Sequence, residues 1–305
     1  MNNTSNNVKG ISFLMLAVLI ISLQNIAVKW IGGDYPVLEI VILRSLIALP
    51  CTILFFRFEG KKGLPTTQRH KLEYVRGFFL FLSYTTHFMG VAALPLADVE
   101  SIRFSAPLMI TILSVFILGE KVGLRHWLAL IVGFIGILVI IKPGSATFNL
   151  GSIFILISVL FYALTVIITR KLRATDSSAT MAYYSSLVYL VAALIFSPLT
   201  FIVGETSNTH SSIAFLFRAW AMPTLLDWVI MSGLGLVWAG WTYFMAKGYS
   251  LAQASFAAPV EYVSLPINIF WGLIIWQEIP TLTTFAGALL TIFSGIYIFY
   301  KERKV

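Results

Sequence analysis

The stretch ADVESIRFSAPL, Ala97–Leu108, places Asp98, Glu100, Arg103 and Pro107 inside a long apolar run. On a helix Glu100, Arg103, Pro107, Thr111 and Ser114 recur every three or four residues and share one face. Such a stripe is costly against lipid, so it is expected to face a cavity or a protein partner. Pro107 removes a backbone donor, which suits a kink beside a water-filled path. The simpler alternative is that Glu100 and Arg103 only neutralise each other near a membrane surface. A second stripe follows the same plan. Glu261, Ser264, Asn268 and Gly272 fall on one face, with Trp271 beside them and Tyr262 next to Glu261. Glu261 lies about 13 Å from the end of its run, near mid-bilayer. A carboxylate there suits a proton-coupling group, a counter-charge for a cationic solute, or an ion-pair partner of Arg44 or Arg103.

Other polar groups are spread over the remaining apolar runs. Arg44 lies about 12 Å into its run. It could grip a solute carboxylate or phosphate bidentately, or neutralise Glu261; the second is the expectation. Ser83, His87 and Gly90 share a face, with Tyr84 alongside. His87 suits either an interhelical hydrogen bond or a proton relay. Trp238, Trp241 and Tyr243 form an aromatic group that could stack on a ring, cage a cation, or simply pack. Gln24 and Asn25 either line a cavity or tie helices together. Glu39, three residues into its run, is expected to be solvated. Glu120 and Glu278 are expected to cap the helices that follow them, with gating as the alternative. The binding set expected from these arguments is Arg103, Glu261, Arg44, Tyr84, His87, Trp238, Trp241, Tyr262 and Asn268, with Glu261 as the coupling group.

Composition fixes the medium in which these groups act. Of 305 residues, 58% are hydrophobic and 11% charged, and the mean hydropathy is +0.89. Soluble chains carry about 25% charged residues. The solvent for most of this chain is therefore lipid. Apolar runs of span length fall at Ile11–Trp30, Pro36–Phe56, Tyr74–Leu94, Ala97–Leu118, Leu124–Ile141, Asn149–Ile168, Ala179–Val203, Leu225–Lys247, Ala252–Trp276 and Thr281–Tyr300. The expected fold is an all-α integral membrane protein of ten transmembrane helices. The first run carries Gln24 and Asn25 and no small-residue cleavage site, so it is read as a retained span. The longest polar insert, 204–224, contains SSIAFLFRAW, a short interfacial helix.

With the N-terminus inside, 16 of 21 Lys and Arg residues fall in inner segments, and only Lys29, Lys142 and Arg218 in outer ones. Both termini are thus expected in the cytoplasm of a bacterial inner membrane. The net charge of +8 follows from this asymmetry, and no nucleic-acid partner is implied. The lone Cys51 precludes an intrachain disulfide. The sequence also repeats. LPLADVESIRFSAPL and later YSLAQASFAAPVEY share a Leu-Ala pair, an Ala-Pro pair, an apolar run, a glutamate and a Gly-rich closing helix. Two units of five spans, 1–145 and 146–305, must then lie inverted to one another, an architecture common among secondary transporters. Small-residue faces, Ala129-xxx-Gly133 with Gly136 and Gly287-xxx-Thr291-xxx-Gly295, mark spans five and ten as scaffold and as contacts for a homodimer.

The segments LPLADVESIRFSAPLMITILSVFILGEKV with GFIGILVIIKPG, APVEY with EIPTLTTFAGALLTIFSGIYI, LRSLIA and VRGFFLF resemble the ten-helix permeases of the drug/metabolite transporter superfamily, EamA-type group. The resemblance spans nearly the whole chain. It implies a central cavity from spans 1–4 and 6–9, braced by spans 5 and 10. It implies solutes such as amino acids, S-adenosylmethionine or riboflavin; this sequence carries an extra proline, Pro266, and Asn268, and both could alter the substrate path. The expected function is secondary transport of a small polar metabolite by alternating access. An intramembrane enzyme would need a nucleophile–base pair or metal ligands, and HExxH, GxSxG and Cys/His clusters are missing from the sequence. A channel would want a continuous polar ring, and a sensor would leave the repeat unexplained. With no nucleotide-binding loop, neither ATP nor another cofactor is expected.

Overall fold

The computed structural model describes residues 2–31, 35–141, 149–204, 210–277, 279 and 281–302. Helices α1 (Asn2–Ile31), α2 (Val37–Phe58) and α3 (His70–Val91) are followed by α4 (Leu96–Arg103), α5 (Ser105–Leu113) and a π turn, Ser114–Leu118. Then come α6 (Leu124–Ile141), α7 (Leu150–Leu172), α8 (Ser178–Val203), α9 (Ser211–Phe217) and α10 (Leu225–Leu251). Helix α11 (Ala254–Ala257), a 3-10 turn (Ala258–Val263), α12 (Ser264–Trp276) and α13 (Leu282–Glu302) complete the chain. Every described element is helical, since only helices and closed barrels satisfy the backbone in hydrocarbon. Among the described residues seven stretches are long and apolar enough to cross a membrane, which makes this a multi-pass integral membrane protein. Helix α3 occupies the place of a further expected span but carries Lys71, Glu73 and Arg76 in its first turns. Helices α6 and α13 hold the shorter apolar stretches Trp127–Gly136 and Phe285–Ser294.

The polarity of the bundle is that of a membrane protein. Ile131, Phe134, Leu194, Ile195, Ile202, Phe285 and Phe293 point outward, while Gln24, Asn25, Arg44, Glu100, His87 and Asn268 are buried. Helix α1 runs along α10, α3 along α7, and α2 against α8. Helices α6 and α13 pack on each other and against α4 and the 3-10 turn. There the hydroxyl of Ser294 donates to the carbonyl of Ala129. A side chain on Gly133 would begin 3.0 Å from that hydroxyl oxygen, so the small face of α6 is occupied within the chain.

The fourth and ninth runs, expected as continuous helices, are interrupted. Pro107 lacks the N–H that would bond the carbonyl of Arg103, and α4 stops there, with Phe104 as a turn. Pro259 and Pro266 likewise cannot donate to residues 255 and 262; the first lies in the 3-10 turn Ala258–Val263 and the second in the first turn of α12. The expected stripe is therefore split. Thr111 and Ser114 donate to their own helix, to the carbonyls of Pro107 at 2.8 Å and Thr111 at 2.9 Å. The insert holds the expected short helix, α9. Lys142 and Glu278 lie outside the described residues.

Candidate functional site

The two interrupted segments meet at a cleft. Its polar lining is Arg103 from the end of α4, Glu261 from the 3-10 turn, and Ser264 and Asn268 from α12. Tyr162 of α7 and Trp241 and Met245 of α10 close one side, and Leu14, Ala17, Val18 and Ile21 of α1 form an apolar wall. Spacings of three and four residues align that wall on one face of α1. The cleft is partly open, and the empty space in and at its mouth amounts to about 380 Å³.

Glu261 is held by two phenols. Tyr162 Oη donates to Oε1 at 2.8 Å, and Tyr249 Oη donates to the same oxygen. Glu100 is fully buried and accepts from Asn25 Nδ2 at 3.0 Å, Ser264 Oγ at 3.0 Å and Arg103 Nη1 at 3.3 Å. Asn25 Nδ2 also reaches Asn268 Oδ1 at 3.3 Å, and His87 Nε2 lies 3.4 Å from Asn25 Oδ1. Glu100 thus joins α1, α4 and α12, and Asn25 links the network to α3. The Glu100–Arg103 pair of the simpler reading exists, but it is one edge of a larger network. Arg103, 17% exposed on its side chain, keeps access to the cleft.

Arg44 departs from expectation. It does not pair with Glu261. Its guanidinium is fully buried, donates to Gln24 Oε1 at 2.9 Å, and lies 4.3, 4.8 and 5.1 Å from the rings of Trp238, Tyr189 and Phe88. Tyr84 packs edge-on against both Trp238 and Trp241 at 5.0 Å, one layer behind the cleft wall. Tyr262 also points away. It packs among Val99, Ile102, Phe104 and Ile155, with its ring 4.9 Å from that of Phe104. Glu39 is buried rather than solvated, and accepts from the backbone of Ala221 at 3.3 Å. Glu120 does not cap α6. Its carboxylate accepts from Ser255 Oγ at 2.8 Å and from the backbone N–H groups of Ala254 and Ser255, and pairs with Arg170 at 3.4 Å.

Of the expected set, the structure brings Arg103, Glu261, Trp241 and Asn268 to the cleft. It leaves Tyr84 and His87 in the layer behind, Arg44 and Trp238 in a separate cage, and Tyr262 in an apolar cluster. Sequence reasoning missed Tyr162 and Tyr249. Tyr162 offered a signal, because it lies mid-way along α7, far from the interfaces where membrane tyrosines concentrate.

The EamA-like transporter family model matches residues 8–142. A 26% identical S-adenosylmethionine uptake transporter of Rickettsia prowazekii aligns over 97% of this chain and 94% of its own. The first part of the chain carries the EamA-like pattern, and the likeness to curated transporters runs along nearly its whole length. A 27% identical pseudopaline exporter of Pseudomonas aeruginosa aligns over 94% of each chain. A riboflavin transporter of Vibrio cholerae, 25% identical, covers 97% of this chain and 94% of its own. A solved crystal structure shares the fold with a TM-score of 0.69 at 17% identity, over 97% of this chain and 98% of that one. Each of these curated relatives is named as a transporter or an exporter. Among the described residues no cluster of His, Cys, Asp and Glu is placed to hold a metal ion.

Proposed function

We propose that this EamA-like protein is a secondary transporter that carries a small polar metabolite by alternating access. The observation that carries this reading is the cleft in which Arg103 and Glu261, from two interrupted segments far apart in sequence, face one shared space. A carboxylate held by two phenols beside an arginine provides donors and acceptors of both signs for a polar solute. The S-adenosylmethionine uptake transporter and the riboflavin transporter among the relatives supply the candidate solutes.

The same reading builds the protein from ten membrane helices in two inverted units, 1–145 and 146–305. Exchange α1 with α7, α2 with α8, α3 with α10, α4–α5 with α11–α12, and α6 with α13. The pairing of α1 with α10 then becomes that of α7 with α3, while α2–α8 and α6–α13 map onto themselves. Both interrupted segments exchange, each with its Ala-Pro pair. The excess of Lys and Arg on one side supports cytoplasmic termini, and the bacterial relatives support an inner membrane. Arg103, Asn268 and Trp241 contact the solute, and Glu261 couples transport to protons.

Purified protein in liposomes, preloaded with one solute, tests this. A carrier shows saturable uptake and counterflow of S-adenosylmethionine or riboflavin; linear, non-saturating flux instead indicates a channel. Glu261→Gln keeps the shape and the phenol contacts but cannot titrate. It is expected to abolish accumulation driven by a proton gradient while counterflow persists. An unaltered pH dependence of uptake in this variant removes the coupling role.

A further inference from the structure

Arg44 is a buried cation whose charge no described side chain balances. No carboxylate lies within ion-pair distance among the described residues; the guanidinium donates to the neutral Gln24, and the neutral Tyr189 hydroxyl lies beside it. Three aromatic rings flank the guanidinium. Ring faces attract a cation but leave its N–H groups without acceptors, and an unpaired buried charge is expensive. Nε and Nη2 have no acceptor. Around them Gln24 Nε2, Trp238 Nε1 and Tyr84 Oη are likewise buried without partners. Each is a donor or can act as one, so the cage has a net positive charge and several unanswered donors. A planar oxyanion answers both, and a guanidinium edge matches a carboxylate bidentately.

The cage adjoins the cleft. Trp241 lines the cleft, Tyr84 packs on Trp241, and Tyr84 also packs on Trp238, which covers Arg44. On α1, neighbouring Gln24 and Asn25 tie one site to the other, the first reaching Arg44 and the second Glu100. We propose that the Arg44 cage receives the carboxylate of the transported solute, with Tyr84 turning aside to admit it from the cleft. This deepens the transport reading and rests on it. It selects a carboxylate-bearing solute over one, such as riboflavin, that has none.

The test uses the full chain in detergent, with the thermal unfolding midpoint as readout. The probes are S-adenosylmethionine, its decarboxylated analogue and sodium acetate. S-adenosylmethionine is expected to raise the midpoint, and its decarboxylated analogue to bind on the order of 30-fold or more weakly. Arg44→Gln is expected to abolish that difference. It is also expected to leave the ligand-free protein as stable as the parent or more so, because it removes an unbalanced charge. Arg44→Lys keeps the charge but loses the planar fork, and is expected to bind on the order of tenfold more weakly. It serves if the Gln variant fails to fold. Equal shifts from the two adenosyl probes in the parent protein overturn the proposal, as does a difference that persists in Arg44→Gln. A full shift from acetate alone, with none added by S-adenosylmethionine, overturns the solute as the source and assigns the cage to a free carboxylate. Counterflow in liposomes separates the two failures. Transport without carboxylate discrimination leaves the carrier reading intact and removes only this one.

Discussion

At the scale of single residues, the cleft depends on how two carboxylates are satisfied. Glu261 relies on phenols, which hold it without cancelling its charge. Glu100 relies on Arg103, Asn25 and Ser264 together. Arg103→Ala leaves Glu100 with two neutral donors and so costs about 1–3 kcal/mol of stability, while the protein still folds. Transport is expected to fall strongly. The double change Arg103→Ala with Glu100→Ala separates two roles. Uptake measured in liposomes should stay lost if Arg103 contacts the solute; recovery in the double variant would mean that the two residues only neutralise each other.

At the scale of elements, close approach decides where side chains can meet. A Cβ on Gly235 of α10 would lie 2.6 Å from the backbone carbonyl oxygen of Arg44 on α2. That contact sets Trp238, one turn on, over the Arg44 guanidinium. On the same face of α10, Met245 lines the cleft and Tyr249 holds Glu261. Gly235→Ala is expected to push α2 from α10 and to destabilise the protein by about 1–3 kcal/mol. The check is the unfolding midpoint in detergent, compared with Gly233→Ala, where a Cβ meets nothing within 4 Å. An equal effect at both positions would mean that helix propensity, not the α2–α10 contact, is being read.

At the scale of the whole molecule, three links close one end of the bundle. Glu120 and Arg170 bind each other and the start of α11; Lys247 lies 3.7 Å from Glu59; and Arg76 donates to Thr169, the carbonyl of Met181 and Ser185. The positive-inside reading places this end in the cytoplasm. A reporter fused after Lys304 is then expected to be active on the cytoplasmic side, and one inserted within 204–224 on the outer side. Opposite readings from both would invert the molecule and reverse which face these links close.

Much of this was legible in the chain itself. Hydropathy and length alone require membrane helices, because lipid leaves the backbone no other partner. Glu100, Arg103 and Glu261 announce themselves, since charges so deep in apolar runs must be answered by protein or solute. Pro107 and Pro259 also foreshadow the interruptions, because a missing N–H is written in the sequence. What the sequence could not decide is which groups answer which. Arg44 looked like a partner for Glu261, yet the helix packing sets it among Trp238, Tyr189 and Phe88 and gives Glu261 to Tyr162 and Tyr249. Tyr262 looked like a site residue beside Glu261, yet the 3-10 turn aims it into an apolar cluster. Periodicity along one helix determines a face. The partner on that face belongs to another helix, and only the packed bundle selects it.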